Sequence, residues 1–231
     1  MDTKAPAASS AKKARKYGGK YGGKAVRLPF AERREQILEE ATSLFAQHGL
    51  TAQTRAIAAA CGISQRLLYR FFPTKDDLVR EVYDRAIVGP FRARWFLDLS
   101  DRSRPVHDRL CDFYTDYLDV LLSRRWLRLF LFFSLEEADL APTYISSVIT
   151  KLLETIAYEV AHELKVSMDM PPAAVHELAW TLHGAISHYA IRRHIYGASQ
   201  HVPQGIVVNM HVGMFLGGFE GIVREFEKAA A

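Results

Sequence analysis

Residues 54–78 read TRAIAAACGISQRLLYRFFPTKDDL, and their spacing decides the fold. Ile57, Cys61, Ile63, Leu68 and Phe71 recur at offsets that fill the wedge between two short crossing helices. Ala58 is small where such helices need close approach. Gly62, four residues on, takes the positive φ of a tight turn at low cost. Ser64 is placed to cap the second helix at its N-terminus. This is the pattern of a helix-turn-helix, whose second helix enters the major groove of DNA. Gln65, Arg66, Leu67, Tyr69 and Arg70 then face outward, a set suited to base edges and phosphates.

The flanks support the same reading. Upstream, RREQILEEATSLFAQHGL (33–50) carries Ile37, Leu38, Ala41, Leu44 and Phe45 at helical spacing. This predicts a bracing helix over 30–48 that ends at His48–Gly49. Thr54 reads as the N-cap of the next helix and as a phosphate contact, with Arg55 beside it on the DNA-facing side. Downstream, Pro73 breaks the recognition helix. Thr74 caps a further helix from Lys75, with Asp76 and Asp77 near its positive end and Lys75 available to a backbone phosphate. That helix is expected to run to Val88, where Gly89–Pro90 stops it.

Taken together, the bracing helix, IAAACGIS (57–64), LYRFF (68–72) and TKDDL (74–78) resemble the TetR family of bacterial regulators. The resemblance covers roughly residues 30–80. It implies a three-helix DNA-binding head and a larger all-α body that dimerises and holds a small-molecule effector. Arg66 and Leu67 stand where the family often has Gly and Thr, so base preference does not carry over from a relative.

Composition bounds the rest. The chain has 231 residues, enough for one buried core and two subdomains. Its net charge of +4 is uneven, because residues 1–28 hold eight Lys/Arg against one Asp. That stretch has too few apolar residues to fold and reads as a disordered basic tail. It is either a solvated tail or a DNA arm whose lysines neutralise phosphates. Two cysteines, Cys61 and Cys111, fit neither a disulfide framework nor a zinc spacing. A reducing, cytoplasmic setting follows. The longest apolar candidate, WLRLFLFFSL (126–135), is broken by Arg128, so no membrane span is expected.

The domain reading is a head over 29–76 and a helical body over 77–231. Body helices are expected at about 105–123, 125–137, 142–165, 172–196 and 204–228, with no strand signals, so the fold class is all-α. Phe113, Tyr117, Trp126, Phe130, Phe133 and Trp180 either line an apolar effector pocket or form plain core. His183 and Ser187 are polar positions amid apolar ones that orient a ligand or satisfy the core. His176 and His183 lie roughly 10 Å apart by helix rise, too far to share a metal ion. Gly213, Gly217 and Gly221 recur on one face of the last helix. Glycine weakens a helix, so another helix is expected to approach there, either the dimer partner that the resemblance implies or a neighbour in the same chain.

No nucleophile elbow, phosphate-binding glycine loop or dinucleotide fingerprint is present, and no cofactor is expected. The leading expectation is a homodimeric repressor on a near-palindromic operator, released by an apolar or amphipathic small molecule. The alternatives are a DNA binder that answers to no effector, and an enzyme or carrier with a vestigial helix-turn-helix.

Overall fold

The computed structural model describes residues 28–136, 143–199 and 201–230. The basic tail, whose reading rests on residues 1–27, lies outside them. Every regular element among the described residues is helical. Ten helices follow in order: α1 (Phe30–His48), α2 (Thr54–Ala60), α3 (Gln65–Phe71), α4 (Lys75–Tyr83), α5 (Arg94–Leu99), α6 (Val106–Val120), α7 (Arg124–Glu136), α8 (Thr150–Leu164), α9 (Pro172–His194) and α10 (Gln204–Ala230). Single π-helical turns, Asp84–Val88 and Ile145–Ile149, extend α4 and lead into α8.

The head forms because its boundary residues do what their chemistry allows. Gly49 and Gly62 both take positive φ, at 77° and 65°. At Gly49 a Cβ would also meet the Glu136 carboxylate at 2.8 Å and the Phe132 ring at 3.2 Å, so only glycine fits under α7. Thr74 and Asp77 form a reciprocal capping box at the start of α4. Ile37, Leu38, Phe45, Ile57, Leu68 and Leu78 are fully buried together as the head's core. That core continues without a break into the body.

α7 clasps the head. Arg128 donates to the last carbonyls of α1, at Ala46 and, at 3.0 Å, at Gln47. A guanidinium there also meets the negative end of the helix. Arg125 pairs with Glu39 on the same helix at 2.7 Å. The inner side of α7 places Trp126 and Phe133 in the body core. One helix therefore touches both the DNA-binding head and the aromatic interior.

α10 packs Val208, Val212, Phe215, Phe219 and Val223 inward, with α6 among its neighbours. Over Gln204–Phe226 it is long and apolar enough to cross a membrane by length and composition, with a mean hydropathy of 1.5. It replaces 126–135 as the leading apolar stretch. The reason is a second apolar face: Ile206, Met210, Met214, Ile222 and Phe226 are exposed.

Candidate functional site

The recognition helix is built from the turn outward. Gly62 reverses the chain, and the Ile63 amide returns to the Ala58 carbonyl at 3.0 Å. The Ser64 hydroxyl accepts from the Leu67 amide at 3.2 Å and caps α3, as its position predicted. Leu68 is buried completely and locks the rotation of the helix. Gln65, Arg66, Tyr69 and Arg70 consequently face solvent, while Leu67 is half-buried. Arg55, Arg66 and Arg70 have no carboxylate partner among the described residues. Their charge is uncommitted on one surface.

Thr54 differs from its expected role. α2 begins at Thr54 itself, with Gln53 in the N-cap position and no side-chain cap. Thr54 is buried because its hydroxyl turns toward α3. There it accepts from the Gln65 amide at 2.9 Å and bonds the Tyr69 phenol at 3.1 Å. Thr54 thus ties the two helices together and positions Gln65 and Tyr69. Hydrogen bonding to Thr54 and, after it, to Gln65 holds the Tyr69 phenol below its ordinary range. Lys75 is also engaged, its ammonium donating to the Leu50 carbonyl across the α1–α2 link.

Phe30, the first residue of α1, stacks on Phe71 of the recognition helix with centroids 4.5 Å apart. Beside this pair runs a groove of about 710 Å³ lined by Leu28, Arg33, Ser64, Leu67 and Arg70 among others. Leu28, the first described residue, therefore lies next to the recognition helix.

In the body, six of the eight expected effector residues fall into two groups. Phe113, Tyr117, His183 and Trp180 form one chain of rings, with centroids 5.3 Å apart from Phe113 to Tyr117, 5.3 Å to His183 and 5.2 Å to Trp180. Trp126 and Phe130 stack at 4.8 Å in the other, and both meet Tyr144. Phe133 lies beside Tyr83, with centroids 5.2 Å apart. Ser187 is half-buried on α9.

Three tyrosines that pattern reading passed over, Tyr83, Tyr114 and Tyr144, complete the interior. The signal was the hydroxyl on each ring, since a buried tyrosine needs a partner that phenylalanine does not. Among the described residues four buried side-chain polar atoms have no partner: Nε of Arg109, the hydroxyls of Tyr114 and Tyr144, and Nδ1 of His183. Burial lowers His183 to about 4, leaving a neutral imidazole.

The glycine face of α10 is open. A Cβ added at Gly213, Gly217 or Gly221 would meet nothing within 4 Å. Close approach by a neighbour in the same chain, one of the two expectations for this face, is therefore excluded among the described residues. His176 is engaged by the Trp180 indole at 2.8 Å.

Residues 37–82 match the sequence model of the bacterial regulatory proteins of the TetR family. The head belongs to the TetR family. The fold beyond it is TetR-like as well. A TetR-like transcriptional regulator from Rhodococcus sp. RHA1 superposes with a TM-score of 0.63 at 20% identity, over 83% of this chain and 97% of that one. A regulator from Saccharomonospora viridis, solved in complex with choline, gives 0.59 at 21% identity over 81% and 96%. The flavonoid-responsive regulator FrrA gives 0.56 at 21% over 82% and 95%. The chain thus carries a head that matches the TetR family by sequence and is TetR-like in fold.

Proposed function

We propose that this TetR-family chain acts as a homodimeric repressor that binds a near-palindromic operator and leaves it when a small molecule enters the body. The observation that carries the DNA reading is the outward face of α3. Gln65, Arg66, Tyr69 and Arg70 are exposed there on a helix held rigid by the Ser64 cap and the Thr54 bonds. Gln65 and Arg66 are the proposed base-edge readers. Arg55, Tyr69, Arg70 and Lys75 are the proposed phosphate contacts, and Thr54 positions Tyr69 among them.

Dimerisation is supported by α10. Its open glycines and the exposed Ile206, Met210, Met214 and Phe226 form an apolar face suited to a second copy. Two heads must then present their α3 helices about 34–36 Å apart, one turn of DNA. Effector binding around Tyr117, Trp126 and His183 acts on α7, which holds α1 through Arg125 and Arg128. A ligand that favours a different α7 position shifts the population away from the spacing DNA needs. The choline complex and the flavonoid response of the two relatives support a small-molecule effector.

A second reading, an operator binder without effector, is favoured by the ring-on-ring contacts among Phe113, Tyr114 and Tyr117. The unpartnered hydroxyls of Tyr114 and Tyr144 and the unpartnered Nδ1 of His183 favour the first. Selection of bound duplexes from a random pool tests the function. An inverted repeat with half-sites one turn apart is expected. Recovery of no common sequence at moderate salt would remove the regulator reading.

A further inference from the structure

Three polar side chains meet where α2 crosses α3. Thr54 opens α2 and is buried. Gln65 opens α3 just after the Ser64 cap and is exposed. Tyr69 stands one turn later on the same face of α3, also exposed. The Gln65 amide nitrogen, Nε2, donates to the Thr54 hydroxyl at 2.9 Å. That hydroxyl also bonds the Tyr69 phenol at 3.1 Å. The Gln65 carbonyl oxygen, Oε1, has no partner among the described residues.

Counting protons fixes the direction of this relay on DNA. A phosphate oxygen only accepts, so a Tyr69 phenol that contacts the backbone spends its one proton there. The phenol oxygen then accepts from Thr54, which takes the single hydroxyl proton of Thr54. Thr54 has no proton left for Gln65 and accepts from it. The relay closes only with the Gln65 N–H inward, as it stands in the structure, and with Oε1 outward. Turning the amide over would set Oε1 against a hydroxyl oxygen with no proton to give, and a lost buried bond is costly.

We propose that Thr54 determines base specificity: it holds the Gln65 amide nitrogen-inward, so that Oε1 reads an exocyclic amino group in the major groove. This rests on the DNA reading of α3 and Tyr69 above. Adenine N6 and cytosine N4 are the amino donors of that groove, whereas guanine offers N7 and O6 and thymine O4, all acceptors. Nε2 keeps a second proton, which adenine N7 can take. With guanine the same placement sets O6 against Oε1, and with thymine O4 meets it. Gln65 therefore accepts adenine or cytosine on the strand it touches and rejects guanine and thymine.

The test uses the full-length protein and the duplex selected from the random pool, with all four base pairs placed in turn at each position of one half-site. Affinities are read by fluorescence anisotropy. Gln65→Ala identifies the position that Gln65 reads, where base preference flattens. There the two tightest of the four base pairs for the parent should carry their amino bases on the same strand, ahead of the other two by about tenfold. Thr54→Val should shrink that gap to about threefold or less, and Thr54→Ser, which keeps the hydroxyl, should retain it. Losing the Tyr69 phosphate contact costs every duplex alike, so it cancels in the gap. Two tightest pairs with amino bases on opposite strands overturn the proposal. So does a Thr54→Val protein that keeps the parent's gap while losing melting temperature or affinity on all duplexes alike, since that is a structural tie alone. A Thr54→Ser protein that flattens the position also overturns it. The parent's own grouping decides the matter even if Thr54→Val does not fold. A selected operator at which Gln65→Ala flattens no position overturns this proposal and leaves the regulator reading intact, whereas a pool without a common sequence removes both.

Discussion

Arg66→Ala separates base reading from fold more cleanly than any other change in this chain. Arg66 is exposed on the recognition helix and makes no ion pair among the described residues. Its loss should leave stability within about 0.5 kcal/mol, the usual range for surface positions away from caps and cores. Gln65 makes a poorer probe, since its amide also holds Thr54 at 2.9 Å. One good base contact is worth about 1–3 kcal/mol of discrimination. A two-fold dimer makes each contact twice, so the expected loss is about 2–6 kcal/mol, or roughly 30-fold to 10⁴-fold in affinity. The assay is fluorescence anisotropy with the selected operator, a scrambled duplex and single base-pair variants of one half-site, all at one salt concentration. Arg66→Ala should lose preference at one symmetric pair of positions and keep its affinity for scrambled DNA within a few-fold. A variant that discriminates as the parent does, while melting at the same temperature, would refute the assignment of α3 as the reading helix.

Three further outcomes are expected. Gly217→Leu adds bulk to a face with nothing within 4 Å among the described residues, so the protomer should fold. By sedimentation it should be monomeric or a weakened dimer, and a variant with the parent's dimer affinity would place the interface elsewhere. Deleting residues 1–27 removes the basic stretch that precedes Leu28, which lines the groove with Arg33 and Arg70. Each phosphate the tail neutralises contributes about 0.9 to the slope of log K against log salt, so the slope should fall equally on operator and random DNA. An unchanged slope would return the tail to solvent. Arg109→Met leaves the buried Glu159 with Arg102 alone, at 2.9 Å. Breaking a buried pair costs about 3 kcal/mol at the lower end, lowering Tm by about 6–12 °C at this chain size. Adding Glu159→Leu should recover much of the loss, and an unshifted Tm in the single variant would show that the network carries little stability.

Local chemistry made the head readable without coordinates. The turn at Gly62, the Ser64 cap, the Thr74–Asp77 box and the buried period of α1 involve residues within four positions of one another. Helix spacing and capping act over that range, so residue order alone determines them. The body helices were legible for the same reason, and their observed bounds fall close to the expected ones. Thr54 was misplaced because its partners, Gln65 and Tyr69, lie eleven and fifteen residues away across the turn. A threonine before a helical run looks like a cap until the second helix draws its hydroxyl inward. The glycine face was visible as a period, but only packing shows that none of the described helices covers it. The unpartnered interior groups were hidden most completely. Tyr114, Tyr144 and His183 lie far apart in the sequence and are buried in the fold. Whether a buried hydroxyl has a partner depends on what surrounds it in three dimensions, and only the tertiary fold decides that.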